Sequence, residues 1–291
     1  MCDERVVRDC RRVQESRLGN PALLRHSPVV ITARGSDVYR FPEHPVARRL
    51  IVAAARAAGA NITVSAGLKA QLCRLGVPEN HIHVLRNGVD LEEFRLHDRT
   101  SMRNKHGLSA DGIDRWICSV GNLIPLKSHD LVLSAIARMP GVGFAIVGDG
   151  PERLRLEQRA RDLGISSRVK FFGTLPPQSV NEVMSAADMT VLASSQEGWA
   201  NVLLESMASG TPVVASDIEG TREVVTAPQA GMLVDRSVEG ITSGITQLYA
   251  NCPSRESTRA YAERFSWRET SRGQFVLFQS VLDAMRSRQA R

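Results

Sequence analysis

Glu197 and Glu205 stand eight positions apart in the segment Glu-Gly-Trp-Ala-Asn-Val-Leu-Leu-Glu. A carboxylate accepts paired hydrogen bonds from neighbouring hydroxyls, and a helix N-terminus attracts anions. The run Met189 to Ala193 reads as a buried strand and Ser194 to Gly198 as the loop leaving its carboxyl end, where ligands bind in open α/β sheets. Asn201 is expected as the N-cap of a helix over Val202 to Ser209 that Gly210 and Pro212 stop. Glu197 then lies in the loop and Glu205 on the helix. Were the segment between them wholly helical, they would be about 12 Å apart. Polyol, anion and polyol fit that span in line, the pattern of a nucleotide-sugar. Two ordinary solvated glutamates are the alternative.

A second candidate precedes this one. Gly121-Asn122-Leu123-Ile124-Pro125-Leu126-Lys127-Ser128 leaves a strand and opens a helix, where a phosphate-binding turn belongs. Gly121 permits close backbone approach, and Lys127 offers a compact ammonium to a diphosphate. The spacing is neither a Walker A nor a dinucleotide fingerprint, and an exposed first-turn lysine is the competing account. Val147-Gly148-Asp149-Gly150-Pro151 ends the next strand, with Pro151 expected at the first helical position. Turn chemistry explains it, and Gly148 facing a ligand is the other possibility. Upstream, Arg34 and Asp37 follow a strand in Thr32-Ala33-Arg34-Gly35-Ser36-Asp37. They either line an opposing wall or form a structural pair. Asn87-Gly88 reads as a tight turn with positive φ. His81, His83, His106 and His129 lack metal-ligand spacing, and there is no nucleophile elbow or Ser-His-Asp logic.

The elements that must carry these residues alternate strictly. Strands are expected at Trp116–Val120, Phe144–Val147, Val169–Phe172, Met189–Ala193, Pro212–Ala215 and Met232–Val234. Helices are expected near His129–Met139, Glu152–Leu163, Pro177–Ala186, Val202–Ser209, Thr221–Val225 and Val238–Tyr249. That order implies a parallel, doubly wound α/β sheet. Three further strands, Val29–Thr32, Ile62–Ser65 and His83–Leu85, with helices near Pro45–Ala58 and Leu68–Leu75, make an incomplete first half. The expected division is a partial domain over 1–97, a complete Rossmann-like domain over 98–254, and C-terminal helices over 255–291 packing back toward the N-terminal part. In those last helices Trp267, Phe275, Leu277, Phe278 and Leu282 are the expected buried positions.

The chain has 291 residues, 43% of them hydrophobic, enough for two cores. No apolar run reaches membrane-spanning length, and Met1-Cys2-Asp3-Glu4-Arg5 lacks a signal peptide's apolar stretch, so a soluble cytoplasmic protein is expected. Cys2, Cys10, Cys73, Cys118 and Cys252 are scattered, which reads as reduced thiols. Net charge is +6 with few aromatics and no aromatic-basic interleaving, which argues against nucleic acid. Lysine occurs only at Lys69, Lys105, Lys127 and Lys170, which makes Lys127 conspicuous. Arg5, Arg8, Arg11, Arg12 and Arg17 form the densest basic cluster, a solvated helix face or a peripheral contact with a membrane surface.

Taken together and in order, Arg34-Gly35-Ser36-Asp37, Asn87-Gly88-Val89-Asp90, the Gly121–Ser128 turn, Val147–Pro151, Val169–Gly173, the Glu197–Glu205 block and Gly210–Ala215 resemble glycosyltransferase family 4. These are the retaining, nucleotide-sugar-dependent enzymes of the GT-B fold, and the likeness is to the branch that builds cell-envelope and capsular polysaccharides. The resemblance implies two Rossmann-like parallel-sheet domains, the N-terminal one incomplete, and transfer of a hexose to a polysaccharide or lipid-linked saccharide. It implies Glu197 near the donor hexose, Glu205 on the ribose, and Lys127 with Gly121 and Asn122 at the diphosphate. Gly198 with the amides of Asn201, Val202 and Leu203 would face the sugar or phosphate, and Phe172, Gly173 and Thr174 the base. No metal or other cofactor is implied. The family commonly has arginine at Asn122, glycine at Ser128 and histidine at Arg34, and a longer N-terminus with a glycine-rich turn. A truncated nucleotide-sugar-binding subunit and a nucleotide-sugar epimerase of the same fold are the other readings.

Overall fold

The structure, a computed structural model, describes residues 28–109 and 112–289. The basic cluster Arg5 to Arg17 and the thiols of Cys2 and Cys10 lie outside them. The chain forms two compact units, one from the segment up to Arg86 together with the segment from Arg268, the other from Asn87–Trp267. The divisions fall at 86/87 and 267/268, where the sequence suggested 97/98 and 254/255.

In the first unit, β1 (Val30–Ala33), β2 (Ala60–Thr63) and β3 (Ile82–Val84) form a parallel sheet in the order β1-β2-β3. Helices α1 (Ser36–Tyr39), α2 (Pro45–Ala57) and α3 (Ala66–Arg74) join the strands. Ser65 caps α3 by accepting from the Leu68 amide at 3.2 Å. The C-terminal helix Trp267–Gln289 returns to this sheet, packing Leu277, Phe278 and Val281 against Val30, Ala60, Ile62 and Leu85. Gly59 and Gly273 let it approach, since a Cβ on either would come within 2.6 and 2.7 Å of Val281 and Leu85. Two expected core positions of that helix are exposed, Trp267 at 44% and Phe275 at 41%. Phe275 is two residues from Leu277, roughly 200° around the helix, so the two cannot share a face.

The second unit alternates helices and strands: α4 (Arg99–Lys105), β4 (Arg115–Val120), α5 (His129–Ala137), β5 (Val142–Val147), α6 (Arg153–Asp162), β6 (Val169–Gly173) and α7 (Pro177–Ala186). It continues with β7 (Met189–Leu192), α8 (Asn201–Ala208), β8 (Val213–Ser216), α9 (Glu219–Arg222), β9 (Gly231–Val234), α10 (Val238–Ala250) and α11 (Arg255–Ala262). The six strands are all parallel, in the order β6-β5-β4-β7-β8-β9. Counted from β4 this is the doubly wound order 3-2-1-4-5-6, and it reverses between β4 and β7. Strands buried on both faces read as continuous apolar runs. Ile117, Phe144, Ile146, Val191 and Val214 accordingly pack with Leu133 and Ile136 of α5 and with Ile241 and Ile245 of α10. Burial pushes the Cys118 thiol up to about 12.

Helix α8 is held at its C-terminal end by backbone and side-chain hydrogen bonds. Gly210 sits at φ 74°, its amide donating to Met207 O at 2.9 Å while Thr211 N donates to Ser206 O at 3.0 Å, which is a Schellman stop. Arg259 donates to Ala208 O at 2.8 Å and Arg255 to Ser209 O at 3.1 Å, so two guanidinium groups from α11 cap the carbonyl end. Beneath, Ser206 Oγ donates to Thr211 O at 2.8 Å and lies 2.6 Å from Thr190 Oγ1 on β7.

Candidate functional site

The carboxyl ends of β4 and β7 bring the two principal sequence candidates together. Lys127 Nζ lies 2.6 Å from Glu197 Oε1, and their side chains are only 18% and 14% exposed. The loops that carry them are tied as well, with Ser195 N donating to Leu126 O at 2.9 Å. Gly121 adopts φ 152°, which a side chain would resist, and the lysine stem lies beside it, with Lys127 Cε 3.5 Å from where a Cβ would stand.

Three adjacent strands end at a glycine or directly before one, and the backbone explains why. A Cβ on Gly148 would fall 2.0 Å from Gly121 O, and Gly148 N donates to Gly173 O at 2.8 Å. A Cβ on Gly150 would likewise fall 2.6 Å from Leu123 O. Gly121, Gly148 and Gly173 therefore form a ledge of bare main chain, and close packing between loops suffices to require Gly148. Pro151 does not open the following helix; Glu152 is the N-cap and α6 starts at Arg153.

At the start of α8 the N-cap is Ala200, not Asn201, which is the first helical residue and lies exposed. Ala200 at φ −85°, ψ 75° closes an inverse γ-turn in which Asn201 N donates to Trp199 O at 3.0 Å. Leu203 N donates to Ala200 O at 3.0 Å. Of the three amides expected to face a ligand, those of Asn201 and Leu203 thus have backbone acceptors, and Val202 N–H is the one without an acceptor among the described residues. Asn201 Oδ1 instead accepts from Asn87 Nδ2 at 3.2 Å.

Glu205 is half-buried one turn further along α8. Burial, and then the nearby charge of Glu93, push its carboxyl above the usual carboxylate range. Among the described residues no cation pairs with it. Gly198 is buried behind Glu197. Phe172 is half-buried at the end of β6, edge-on to the His106 ring at 5.9 Å with Lys170 Nζ 5.1 Å from its centroid, and Thr174 is exposed beyond it. Asn122 is exposed in the turn below Lys127.

Arg34 and Asp37 belong to the first unit and do not form a side-chain pair. Asp37 accepts from Arg34 N at 3.0 Å and from Gly35 N at 2.6 Å, folding its own loop, while the Arg34 side chain is exposed. The Asn87-Gly88 turn also differs from expectation. Gly88 has no positive φ; it is glycine because a Cβ would sit 2.3 Å from Trp267 N, where Val89 N donates to Phe265 O at 2.9 Å.

Sequence reasoning missed three participants. Gly220, opening α9 after β8, would put a Cβ 2.2 Å from Glu197 O, so it seats the glutamate's main chain. Ser128 is left-handed at φ 49°, ψ 43°, and its Oγ accepts from Arg236 Nη1 at 3.3 Å. His129 is 3% exposed with Nδ1 3.2 Å from Ser119 Oγ, and burial followed by the Lys127 charge takes its pKa down to about 4. The glycine usual at Ser128 signals the left-handed backbone; nothing local marks Gly220 or His129.

A six-stranded parallel sheet in doubly wound order, with a lysine and a glutamate joined over its switch point, is an α/β domain of the GT-B fold class. The chain belongs to the family described as glycosyl transferases group 1, whose model matches residues 98–265, and residues 16–93 match the model for glycosyltransferase family 4. Among curated proteins it is 36% identical over 212 residues to D-inositol 3-phosphate glycosyltransferase of Mycobacterium tuberculosis (strain ATCC 25177 / H37Ra), covering 67% of this chain and 43% of that protein. The chain thus spans less than half the length of the curated relatives it matches. The fold matches sucrose-phosphate synthase from Thermosynechococcus elongatus with a TM-score of 0.79 at 22% identity, over 90% of this chain and 70% of that one. It also matches Anabaena Alr3699/HepE in complex with UDP and glucose, TM-score 0.76 at 23% identity, over 91% and 73% of the two chains.

Proposed function

We propose that this chain binds a nucleotide-diphosphate sugar across α8 and transfers its hexose, with retention of anomeric configuration, to a polysaccharide or lipid-linked saccharide of the cell envelope, working in the cytoplasm or at the inner face of a membrane. The observation that carries the reading is the Lys127–Glu197 pair at the switch point, with the unpaired, desolvated Glu205 on the adjoining helix. Lys127 neutralises charge on the leaving diphosphate, Val202 N–H and the positive end of α8 take a phosphate oxygen, Glu197 accepts from hexose hydroxyls, and Glu205 accepts from the ribose. The glycine ledge of Gly121, Gly148 and Gly173 admits the phosphates and base to the main chain. A preorganised cation at a developing negative charge is a main source of rate in such transfers.

The relatives support this: one is named for glycosyl transfer to an inositol phosphate, another was solved with UDP and glucose. Binding without transfer is the second reading. A thermal-shift panel of nucleotide-sugars tests donor recognition, because a ligand of the native state raises apparent stability. Transfer is then assayed with the stabilising donor and saccharide, lipid-linked and inositol-phosphate acceptors. No shift with any donor refutes the reading; a shift without transfer or donor hydrolysis favours the binding subunit. Deuterium incorporated from solvent into the sugar marks an epimerase.

A further inference from the structure

The Lys127–Glu197 pair carries no net charge, whereas the diphosphate of a nucleotide-sugar is a dianion, so an ammonium already matched leaves that charge uncompensated. Arg153, Arg155 and Arg222 also follow strands of this sheet, but Glu157, Glu152 and Asp217 match them. Arg236, two residues beyond the end of β9, is exposed and has no carboxylate partner among the described residues. Its Nη1 donates to Ser128 Oγ at 3.3 Å, and Ser128 is the neighbour of Lys127 in the turn.

Strand β9 stands three places from β4, about 14 Å at ordinary strand spacing. The packing of α10 on α5, Ile241 and Ile245 with Leu133 and Ile136, brings the two helix starts together over one face and closes that gap. The base of Arg236 is fixed. Ser237 caps α10 by accepting from the Gly240 amide at 3.0 Å, and Ser237 N donates to Asp235 O at 2.8 Å. A Cβ on Gly240 would fall 2.3 Å from Asp235 O, which shows how closely the loop is wound. The guanidinium, by contrast, is held by one long bond to a neutral hydroxyl, which a phosphate oxygen outcompetes. We infer that Arg236 is a second cation for the donor's diphosphate, leaving Ser128 Oγ to present its planar fork to the phosphate oxygens beside Lys127. The inference rests on the donor reading above and adds to it a contact from the edge strand of the sheet.

The test is calorimetry of the whole chain with UDP, ADP and GDP, and with the nucleoside of whichever binds. Arg236→Gln should weaken the diphosphate by about tenfold, the loss of one charge-assisted hydrogen bond, and leave the nucleoside unchanged. Arg236→Lys should recover part of that loss, since an ammonium keeps the charge without the fork. Diphosphate affinity should also depend less steeply on salt in Arg236→Gln than in the parent. The side chain is exposed, so thermal melting is expected to be unchanged; should Arg236→Gln unfold, Arg236→Met, which keeps the apolar stem, takes its place. Parental diphosphate affinity in the variant, while Lys127→Ala weakens it, overturns the inference and leaves the donor reading standing. Equal weakening of diphosphate and nucleoside overturns it too, since the arginine then acts through the fold. A parent that binds none of these diphosphates and no nucleotide-sugar ends the donor reading and this inference together.

Discussion

Lys127 and Glu197 are held 2.6 Å apart from two loops that leave neighbouring parallel strands on opposite sides of the switch point. The two charges compensate each other, and in the proposed complex the donor draws the ammonium toward its diphosphate. Lys127→Ala is therefore expected to lower kcat by about 10²–10³, the effect of losing one preorganised donor to a developing charge. Steady-state kinetics on the stabilising donor measure it.

Glu197→Ala should separate sugar from nucleotide. Glu197 contacts the hexose in the proposed complex, so the variant should bind the nucleotide-sugar more weakly while binding the free nucleoside diphosphate at least as well, its lysine having lost a competing anion. Calorimetry with both ligands checks this. Weakening of both by the same factor would contradict a hexose role.

Glu205 offers a pH test. Its carboxyl is raised by burial and by Glu93, so the folded chain holds the proton more tightly than the unfolded chain does. That contribution to stability is fully present below the ordinary glutamate range, about 4.3, and is lost as pH rises through the raised folded value. Glu205→Gln removes the penalty of a half-buried charge. Its Tm should exceed that of the parent at pH 7 (about neutrality) and converge with it in acid, while nucleotide-sugar affinity falls because an acceptor for hydroxyl protons is gone. A variant no more stable at neutral pH would mean the carboxylate is compensated in the parent.

Ser128 is the one residue other than glycine with positive φ among the described residues. Left-handed backbone costs an L-residue roughly 1 kcal/mol, and the contacts of Ser128 Oγ with Pro125 O and Arg236 are both long, at 3.3 Å. Ser128→Gly should gain about 0.5–1 kcal/mol in urea denaturation.

Gly148→Ala and Gly220→Ala each drive a methyl into main chain. The first meets Gly121 O at a φ of 129° that alanine resists, so a loss of at least about 2 kcal/mol of stability is expected. The second meets Glu197 O. It should lower stability too and, by displacing Glu197, reduce turnover, which denaturation and steady-state kinetics read separately.

The alternation of strands and helices in the second unit was readable because strands buried on both faces are apolar runs and each ends in a glycine or polar turn; β4 through β9 fall within two residues of expectation. Glu197, Glu205 and Lys127 were legible for the same reason, each following a strand that could be placed. What was not legible depends on neighbours distant in sequence. Gly88 and Gly220 are set by backbones 179 and 23 positions away, those of Trp267 and Glu197. The N-cap moved from Asn201 to Ala200 because an inverse γ-turn met the first amide before the asparagine side chain could. Trp267 and Phe275 read as core by hydrophobicity, yet the phase of their helix is fixed by Leu277 and Val281 on a sheet some 200 residues earlier.

That return of the last helix to the first sheet orders events during synthesis. Everything needed to close the second unit has been translated by Trp267, and it can condense as it leaves the ribosome. The face of β1 and β2 that receives Leu277, Phe278 and Val281 stays bare until that helix has been made. Pairing so remote in the chain is slow to form, so a nascent or prematurely terminated polypeptide presents that apolar sheet to chaperones and proteases while the rest is already native.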